Sequence, residues 1–341
     1  MEYNSYRTVR FLGITLLAPP LKSCRFCLIL LFLIVFGIGI SALYTYKIIN
    51  LSVIIDALFK NGSFYDIWLL WEVALPRALT AVGVGCALGL SGALFQTVNN
   101  NALSSPDLIG VISVINMSVV LWMWLLPQYP VIVGAAIGSI FFLIMLFYLL
   151  LVKDFTASSF ILFGLIVNSV SYSVSSFVLT SIKAESANQI LIYLCGDLAY
   201  KKWLDVQIIF GCLLILIPLA LVISRRLKFL VQDKNTALSL GIPFYKTYLE
   251  ATLCATLLAV VCVFLVGPIG FVALLAPHIA RFGSSNMALL SSAFCGAALL
   301  LLADALSLAL PVLPNLPTGV ITAFLGGLYL LLLVVRQNKY K

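Results

Sequence analysis

Charged residues are scarce in this 341-residue chain, and their scarcity excludes most classes of soluble protein. Asp, Glu, Lys and Arg together make up 9% of the residues, whereas hydrophobic residues make up 63%. A soluble domain carries about 25% charged and about 45–50% apolar residues. A membrane-spanning helix needs about 20 consecutive apolar residues, and runs of that kind recur from end to end. The composition therefore predicts an all-α, polytopic membrane protein.

Motifs that hold nucleotides or metals are also lacking. No Gly-x-x-x-x-Gly-Lys-Ser/Thr pattern is present, so we expect that this chain does not itself bind nucleotide phosphates. The single histidine, His278, and the isolated Cys24–Cys27 pair do not have zinc or redox spacing. The net charge of +8 does not indicate a nucleic-acid partner, because the cations cluster at the ends of apolar runs. We expect no metal and no cofactor on this chain.

Ten apolar segments follow one another along the chain. They cover residues 27–46, 75–96, 106–126, 131–152, 159–181, 206–224, 243–266, 268–282, 287–310 and 317–335. If the N-terminus is cytoplasmic, fourteen of the 20 Lys and Arg residues lie inside and six outside, in agreement with the positive-inside rule. The pattern predicts one transmembrane domain over 1–341. It has a cytoplasmic N-terminal segment at 1–26, a membrane bundle at 27–335 and both termini in the cytoplasm.

The eighth segment is interrupted in a way that a plain spanning helix is not. Residues 267–281 read GPIGFVALLAPHIAR, and the unusual residues among them are Gly267, Pro268, Pro277, His278 and Arg281. Non-helical backbone inside a bilayer is tolerated only where protein or a cavity surrounds it, so we predict a broken helix that acts as a hinge. His278 and Arg281 are three residues apart and should share a helix face. We expect them to brace its cytoplasmic end.

Small and acidic residues inside the spans predict how the helices pack. Rows of small residues predict close helix contacts, and they occur at Gly85, Gly89 and Ala93 in the second segment and at Gly319, Ala323 and Gly327 in the last. Asp304 is the one acid well inside a span, so it must face protein or water. We expect Asp304 to bond to neighbouring backbone or hydroxyl groups rather than to serve in a proton relay.

Two local features leave a choice of function. Residues 233–241 predict a short cytoplasmic helix with exposed apolar side chains, which either cover the protein's own surface or enter a partner's groove. The pattern alone favours neither. Ser91 and His278 could be a protease dyad, but they are expected at different membrane depths, whereas a nucleophile and its base must come within hydrogen-bond reach. We therefore disfavour catalysis.

Four motifs, in order, resemble the permease subunits of type II ABC importers, the family that moves ferric siderophores, cobalamin and haem across the bacterial inner membrane. The resemblance rests on Leu75–Gly110, Ala237–Gly241, Gly267–Arg281 and Leu316–Gly326. It implies a ten-span permease that pairs with itself or with a paralogue, two ATPase subunits that carry ATP-Mg, and a periplasmic or lipid-anchored substrate-binding protein. The chain would not be an enzyme by itself.

The resemblance also implies a cargo and a location. We expect a multi-pass protein of the bacterial inner membrane that imports a ferric siderophore, with haem, cobalamin and molybdate as alternatives. An ion-coupled secondary transporter is the alternative from another class, since Asp304 and the 267–281 stretch could serve such a mechanism.

Individual residues take expected roles from the same resemblance. The 233–241 helix would be the coupling helix, with the ATPase contacted by Ala237, Leu240 and Gly241. The cytoplasmic gate would include Thr156 and Ser158, and the binding protein would dock on Arg77, Lys201 and Lys202. Two further outer arginines of the family pattern are Ala74 and Leu308 here. This departure suggests a heteromeric pair in which the second permease retains the missing cations.

Overall fold

The protein is a bundle of α-helices preceded by a short hairpin. The computed structural model describes residues 7–11, 14–18, 21–46, 51–151, 157–182, 190–191, 193–232, 243–283, 288–309 and 316–338. Strands β1 (Arg7–Phe11) and β2 (Ile14–Ala18) pair antiparallel, with Arg7 opposite Ala18. This hairpin lies in the segment predicted to precede the membrane bundle.

The helices follow in chain order. They are α1 (Leu21–Tyr46), α2 (Leu51–Leu58), α3 (Phe64–Trp68), α4 (Leu75–Val98), α5 (Val111–Leu125), α6 (Val131–Leu151), α7 (Ala157–Ser181), α8 (Trp203–Gln232), α9 (Phe244–Val266), α10 (Val272–Gly283), α11 (Ala288–Ala309) and α12 (Thr318–Asn338).

Each predicted membrane segment corresponds to one long helix, namely α1 or one of α4 to α12. Seven candidate spans among the described residues are long and apolar enough to cross a bilayer, and α5, α10 and α12 contribute shorter apolar helices. The all-α membrane fold is confirmed. The sequence did not predict α2 and α3, which lie between the first two spans, or the π-helical stretch Leu69–Ala74 that joins α3 to α4.

Helix α4 is the buried axis of the bundle. In the continuous rod Phe64–Val98, 83% of the residues of the apolar window are buried. The predicted glycine row explains the burial: a Cβ atom at Gly85 would overlap the carbonyl oxygen of Gly296, and one at Gly89 would overlap that of Ser292. Gly92 meets the carbonyl oxygen of Ala273 in the same way. Helix α4 therefore approaches α11 and α10 backbone to backbone.

The second small-residue row, on α12, does not pack as predicted. Gly319 lies against the carbonyl oxygens of Cys195 and Gly196, but no atom of the described residues lies within 4 Å of a Cβ placed on Gly327. Ala323 is exposed. The close contact on this helix is made instead by Gly326, where a Cβ would overlap the side chain of Phe271. Within the described part of this chain, the row on α12 therefore makes a close contact only at Gly319, and packing at Ala323 and Gly327 against another helix stays a prediction.

The expected break between α9 and α10 is present. Gly267 and Phe271 have φ angles of 80° and 66°, and the five residues 267–271 lie outside the helices on either side. The neighbouring loop covers this break, since the backbone N–H of Asp197 donates to the carbonyl of Val266 at 3.0 Å. Protein therefore surrounds the non-helical backbone, as a bilayer requires.

The third predicted segment also starts later than expected. Residues Pro106–Ile109 form a 3₁₀ turn, and Gly110 (φ 93°) then reverses the backbone before α5 begins at Val111. Glycine adopts this left-handed conformation without the steric penalty of a side chain. The turn is pressed against α7, because a Cβ on Gly164 would overlap the carbonyl oxygen of Leu108.

Replacement of Gly92 by alanine tests the α4 packing. We expect Gly92→Ala to lower thermal stability, since overpacking a dense core costs roughly 1–3 kcal/mol and the opposing atom is a rigid backbone carbonyl. Gly211→Ala on α8 is the control, because none of the residues that the structure describes comes within 4 Å of its added Cβ, and alanine is the better helix former. The melting temperature of the detergent-purified protein distinguishes the two variants. Equal melting temperatures would contradict the backbone-to-backbone contact.

Candidate functional site

Helix α7 carries a polar face that sequence analysis missed. Ser169, Tyr172, Ser173 and Thr180 are exposed, and their spacing of three, one and seven residues keeps them on one side of the helix. The exposed apolar side chains of Leu162, Leu165 and Ile166 occupy the same side nearer the start of the helix, so the polar part of this face begins at Ser169. Only 17% of the residues in the apolar window Leu162–Ser181 are buried, compared with 83% in the rod that contains α4. Polar groups inside a membrane typically face protein or a water-filled cavity rather than lipid. The serine spacing was the signal that could have revealed this face.

The hydroxyl groups of this face are tied to their own helix. Ser169 donates to the carbonyl of Leu165 at 2.9 Å, Ser173 to that of Ser169 at 2.8 Å, and Thr180 to that of Phe177 at 2.8 Å. Their second lone pairs can still accept hydrogen bonds from outside the chain. The face can therefore contact a hydrated molecule without leaving its backbone partners unsatisfied.

Arg77 and Asp304 form a buried ion pair between α4 and α11. The guanidinium Nη2 lies 2.8 Å from Asp304 Oδ1, and Nε lies 3.1 Å from both carboxylate oxygens. The Asp304 side chain is completely buried and that of Arg77 is 14% exposed. This geometry resembles the bidentate pairing that makes arginine–carboxylate contacts strong.

Asp304 also has the hydroxyl partner that the sequence suggested. Thr318, at the start of α12, donates from Oγ1 to Asp304 Oδ1 at 3.0 Å. The arginine partner was not foreseen, and Arg77 was expected to point at a docking protein instead. Its guanidinium is engaged inside the chain, so the docking role stays a prediction that this geometry does not favour.

The two lysines predicted for docking differ in environment. Lys201 Nζ donates to the carbonyl of Leu265 at 2.6 Å, at the C-terminal end of α9, where a cation interacts favourably with the helix dipole. Burial lowers the pKa of Lys201, and the neighbouring Asp205 and Asp197 oppose that shift. Lys202 is exposed. Of the three predicted docking residues, Lys202 is therefore the one whose side chain is presented to the surroundings.

Gln96 joins α4 to the first and to the last turn of α10. Its Nε2 donates to the carbonyl of Leu274 at 3.1 Å, and its Oε1 accepts from Nη2 of Arg281. The His278 ring lies edge-on to the rings of Phe282 and Tyr329, each with a centroid distance of 5.7 Å. Arg281 therefore contacts α4 and His278 contacts α12. Both residues thus brace α10 against a neighbouring helix, and their expected role at the cytoplasmic surface near the ATPase stays a prediction.

Ser91 has no part in a dyad with His278. Its hydroxyl is buried and donates to the carbonyl of Ala255 on α9 at 2.6 Å. Within the described parts of the chain, no group of three His, Cys, Asp or Glu side chains could hold a metal ion. Pro277 is buried within α10, and Pro268 lies half-buried in the break that precedes it.

Several predicted site residues lie outside the described residues. They are Thr156 of the expected gate and the entire 233–241 helix, with Ala237, Leu240 and Gly241. Ser158 belongs to the first turn of α7, but its side chain is not described. Their coupling and gating roles stay predictions.

The bundle with its embedded broken helix and its polar, outward-facing α7 defines the class: this is a polytopic membrane permease. More particularly, the chain belongs to the FecCD transport family, whose family model matches residues 29–336. It is the permease subunit of a type II ABC importer. It is similar to the ferric enterobactin permease FepG of Escherichia coli, with 32% identity over 79% of this chain and 83% of the relative.

Two other comparisons extend over almost the whole chain. The Fe(3+)-citrate import permease YfmE of Bacillus subtilis is 31% identical over 93% of this chain and 95% of its own length. A solved metal-chelate type ABC transporter in an inward-facing conformation matches with a TM-score of 0.76 and 25% identity, over 92% of this chain and 99% of that one. Further relatives are permeases for hemin and vitamin B12.

The buried ion pair leads to a stability prediction. Asp304→Ala would leave the Arg77 guanidinium without its carboxylate, and removal of one partner of a buried pair costs about 3–5 kcal/mol. The double variant Arg77→Met with Asp304→Leu should recover much of that loss, because apolar residues of similar volume often replace a buried pair without penalty. Melting temperatures of the purified proteins check this expectation. If Asp304→Ala melts like the wild type, the pair does not stabilise the bundle.

Proposed function

We propose that this chain forms, with a second copy or a paralogous permease, the membrane pathway of an importer for a ferric siderophore or a similar iron chelate. Two ATPase subunits with bound ATP-Mg would drive transport from the cytoplasm. A periplasmic or lipid-anchored binding protein would deliver the cargo. The chain would lie in the bacterial inner membrane with both termini in the cytoplasm.

The polar face of α7 is the observation that carries this proposal. It is exposed on a helix of which little is buried within one chain. A second subunit facing α7 would enclose a path with hydroxyl groups along it and keep those groups away from lipid. The rigid α4 core would remain fixed while α7 and its counterpart separate or approach.

Iron chelates are the favoured cargo because the names of the relatives describe transporters of such complexes. The two relatives compared in detail are permeases for ferric enterobactin and ferric citrate, and the matched solved structure is a metal-chelate transporter. Haem, cobalamin and molybdate are the alternatives, since other relatives carry hemin and vitamin B12.

An ion-coupled secondary transporter is the weaker proposal. Such a protein binds its coupling ion with charged groups or unwound backbone near the middle of the membrane. The carboxylate of Asp304 is already neutralised by Arg77 and hydrogen-bonded to Thr318. This acid is therefore not free to bind a coupling ion.

The energy source is the decisive experiment. The chain would be reconstituted in proteoliposomes with the ATPase and binding protein of its own transport system, and uptake of radioactive iron bound to a siderophore would be measured. We expect uptake to require ATP, to persist when an ionophore collapses the ion gradients, and to stop when the ATPase carries a hydrolysis-deficient substitution. Uptake that collapses with the ionophore while ATP remains would contradict the proposal.

The cargo is tested separately with the binding protein. Ferric siderophores, haem, cobalamin and molybdate would be titrated against the purified binding protein, and the bound complex would then be offered to the proteoliposomes. A preference for haem, cobalamin or molybdate would exclude the siderophore assignment and leave the ATP-driven mechanism intact.

A further inference from the structure

The 3₁₀ turn Pro106–Ile109 lies between helix α7 and the start of helix α10. On one side, Asp107 Oδ2 accepts a hydrogen bond from the backbone N–H of Phe271 at 3.4 Å, immediately before α10. On the other side, Asn168 of α7 donates from Nδ2 to the carbonyls of Asp107 and Leu108, both at 3.3 Å. The turn therefore contacts the polar helix and the broken helix at the same time.

Asp107 is an acidic residue without a cationic partner. Within the described residues, no Lys or Arg forms a salt bridge with it. Its carboxylate lies instead at the N-terminal end of α10, where unpaired N–H groups and the helix dipole favour a negative charge. Asp107 thus acts as a cap for α10 that is supplied by a different part of the chain.

The residue that Asp107 holds is itself in an unusual conformation. Phe271 has a φ angle of 66°, and a non-glycine residue persists there only when its surroundings hold it. The Asp107 carboxylate binds its N–H, and Gly326 of α12 leaves room for its side chain. The start of α10 is therefore fixed by contacts from outside the helix.

The connection to α7 is equally tight. Asn168 Oδ1 accepts from Ser113 Oγ at 2.6 Å, so the amide is oriented by α5 while its Nδ2 holds the turn. A Cβ on Gly110 would lie 2.8 Å from Val167 Cγ1, so the turn passes directly against α7 at this level. Helices α7 and α10 are thus linked through the turn, without a direct contact between Asn168 and α10.

We propose that Asn168 and Asp107 are positioning residues of the transport cycle, which tie the polar helix α7 to the start of the broken helix α10 through the 106–109 turn. The inference rests on the proposed function, because it assigns the two residues to the coupling of α7 movement with α10. The C-terminal end of α10 is bound to α4, because Arg281 donates a hydrogen bond to Gln96. A displacement of α10 would therefore be transmitted to α7 rather than absorbed in the break.

The first test measures the connection itself and does not depend on transport. Hydrogen exchange of the α10 N-terminal amides would be followed in the ATPase-bound complex in nanodiscs, for wild type, Asp107→Ala, Asp107→Asn, Asn168→Ala and the control Ser139→Ala. Ser139 is a buried serine of α6 that bonds to its own helix. We expect exchange to rise about tenfold in Asp107→Ala, as for loss of one hydrogen bond to a charged group.

Two of the variants make this test specific, namely the conservative Asp107→Asn and Asn168→Ala, which alters a residue that does not bond to α10. Asp107→Asn should fall between wild type and Asp107→Ala, because it keeps an acceptor oxygen but loses the charge that the helix dipole favours. Asn168→Ala should also raise exchange at α10, although Asn168 bonds to the turn and not to α10. Unchanged exchange at α10 in Asn168→Ala would overturn the link, as would a rise of equal size in Ser139→Ala.

The second test measures coupling in proteoliposomes as cargo imported per ATP hydrolysed. We expect this ratio to fall in Asp107→Ala and in Asn168→Ala, and the double variant to be no worse than the poorer single variant, because both remove one connection. If the double variant lowers the ratio by the product of the two single effects, Asp107 and Asn168 do not share a role. If wild type itself shows no ATP-driven uptake, the proposed function fails, and the exchange measurement still decides the link.

Discussion

The close approach of α4 to α11 and α10 is the constraint on which the remaining structure depends. Inside a bilayer the hydrophobic effect does not draw helices together, so packing and interhelical hydrogen bonds must do so. Gly85 and Gly89 allow α11 to approach, and Gly92 allows α10 to approach. Polar connections at both ends of α4 depend on these distances: Arg77 reaches Asp304 near one end of the helix, and Gln96 reaches α10 near the other.

Because of this rigid core, the bundle has one part that is tightly packed and another part that has few contacts within the chain. α4 is buried on nearly all sides, whereas α7 has few partners within the chain. The broken helix lies between them, since it packs on α4 through Ala273 and is joined to α7 through the 106–109 turn. A permease needs such a division, because a pathway that opens and closes requires one surface to stay fixed while another moves.

Much of the architecture could be predicted from the sequence because it depends on local patterns. Apolar runs located α1 and each of the helices α4 to α12, and the Gly-Pro motif indicated a break within the stretch 267–281. The Arg77–Asp304 pair could not be predicted, since 227 residues separate its members and no local pattern relates them. The same limit applies to the partners of Arg281 and His278: helical spacing placed the two residues near each other, but it could not show that Arg281 contacts Gln96 and that His278 contacts Tyr329. On α12, the small-residue spacing continues to Gly327, where the described part of this chain provides no helix that packs against it.

The central claim is that the polar face of α7 lines a water-filled path in the assembled importer, and thiol accessibility tests it most directly. In a background without the eight natural cysteines, single cysteines would replace Ser173, Ser171 and Ile144. Ser173 lies on the polar face, Ser171 is buried on the same helix, and Ile144 is 63% exposed on the apolar helix α6. The account predicts that a membrane-impermeant thiol reagent modifies the cysteine at position 173 much faster than those at 171 and 144 in the complete complex. Modification at position 173 as slow as at position 144 would mean that α7 faces lipid, and would contradict the account.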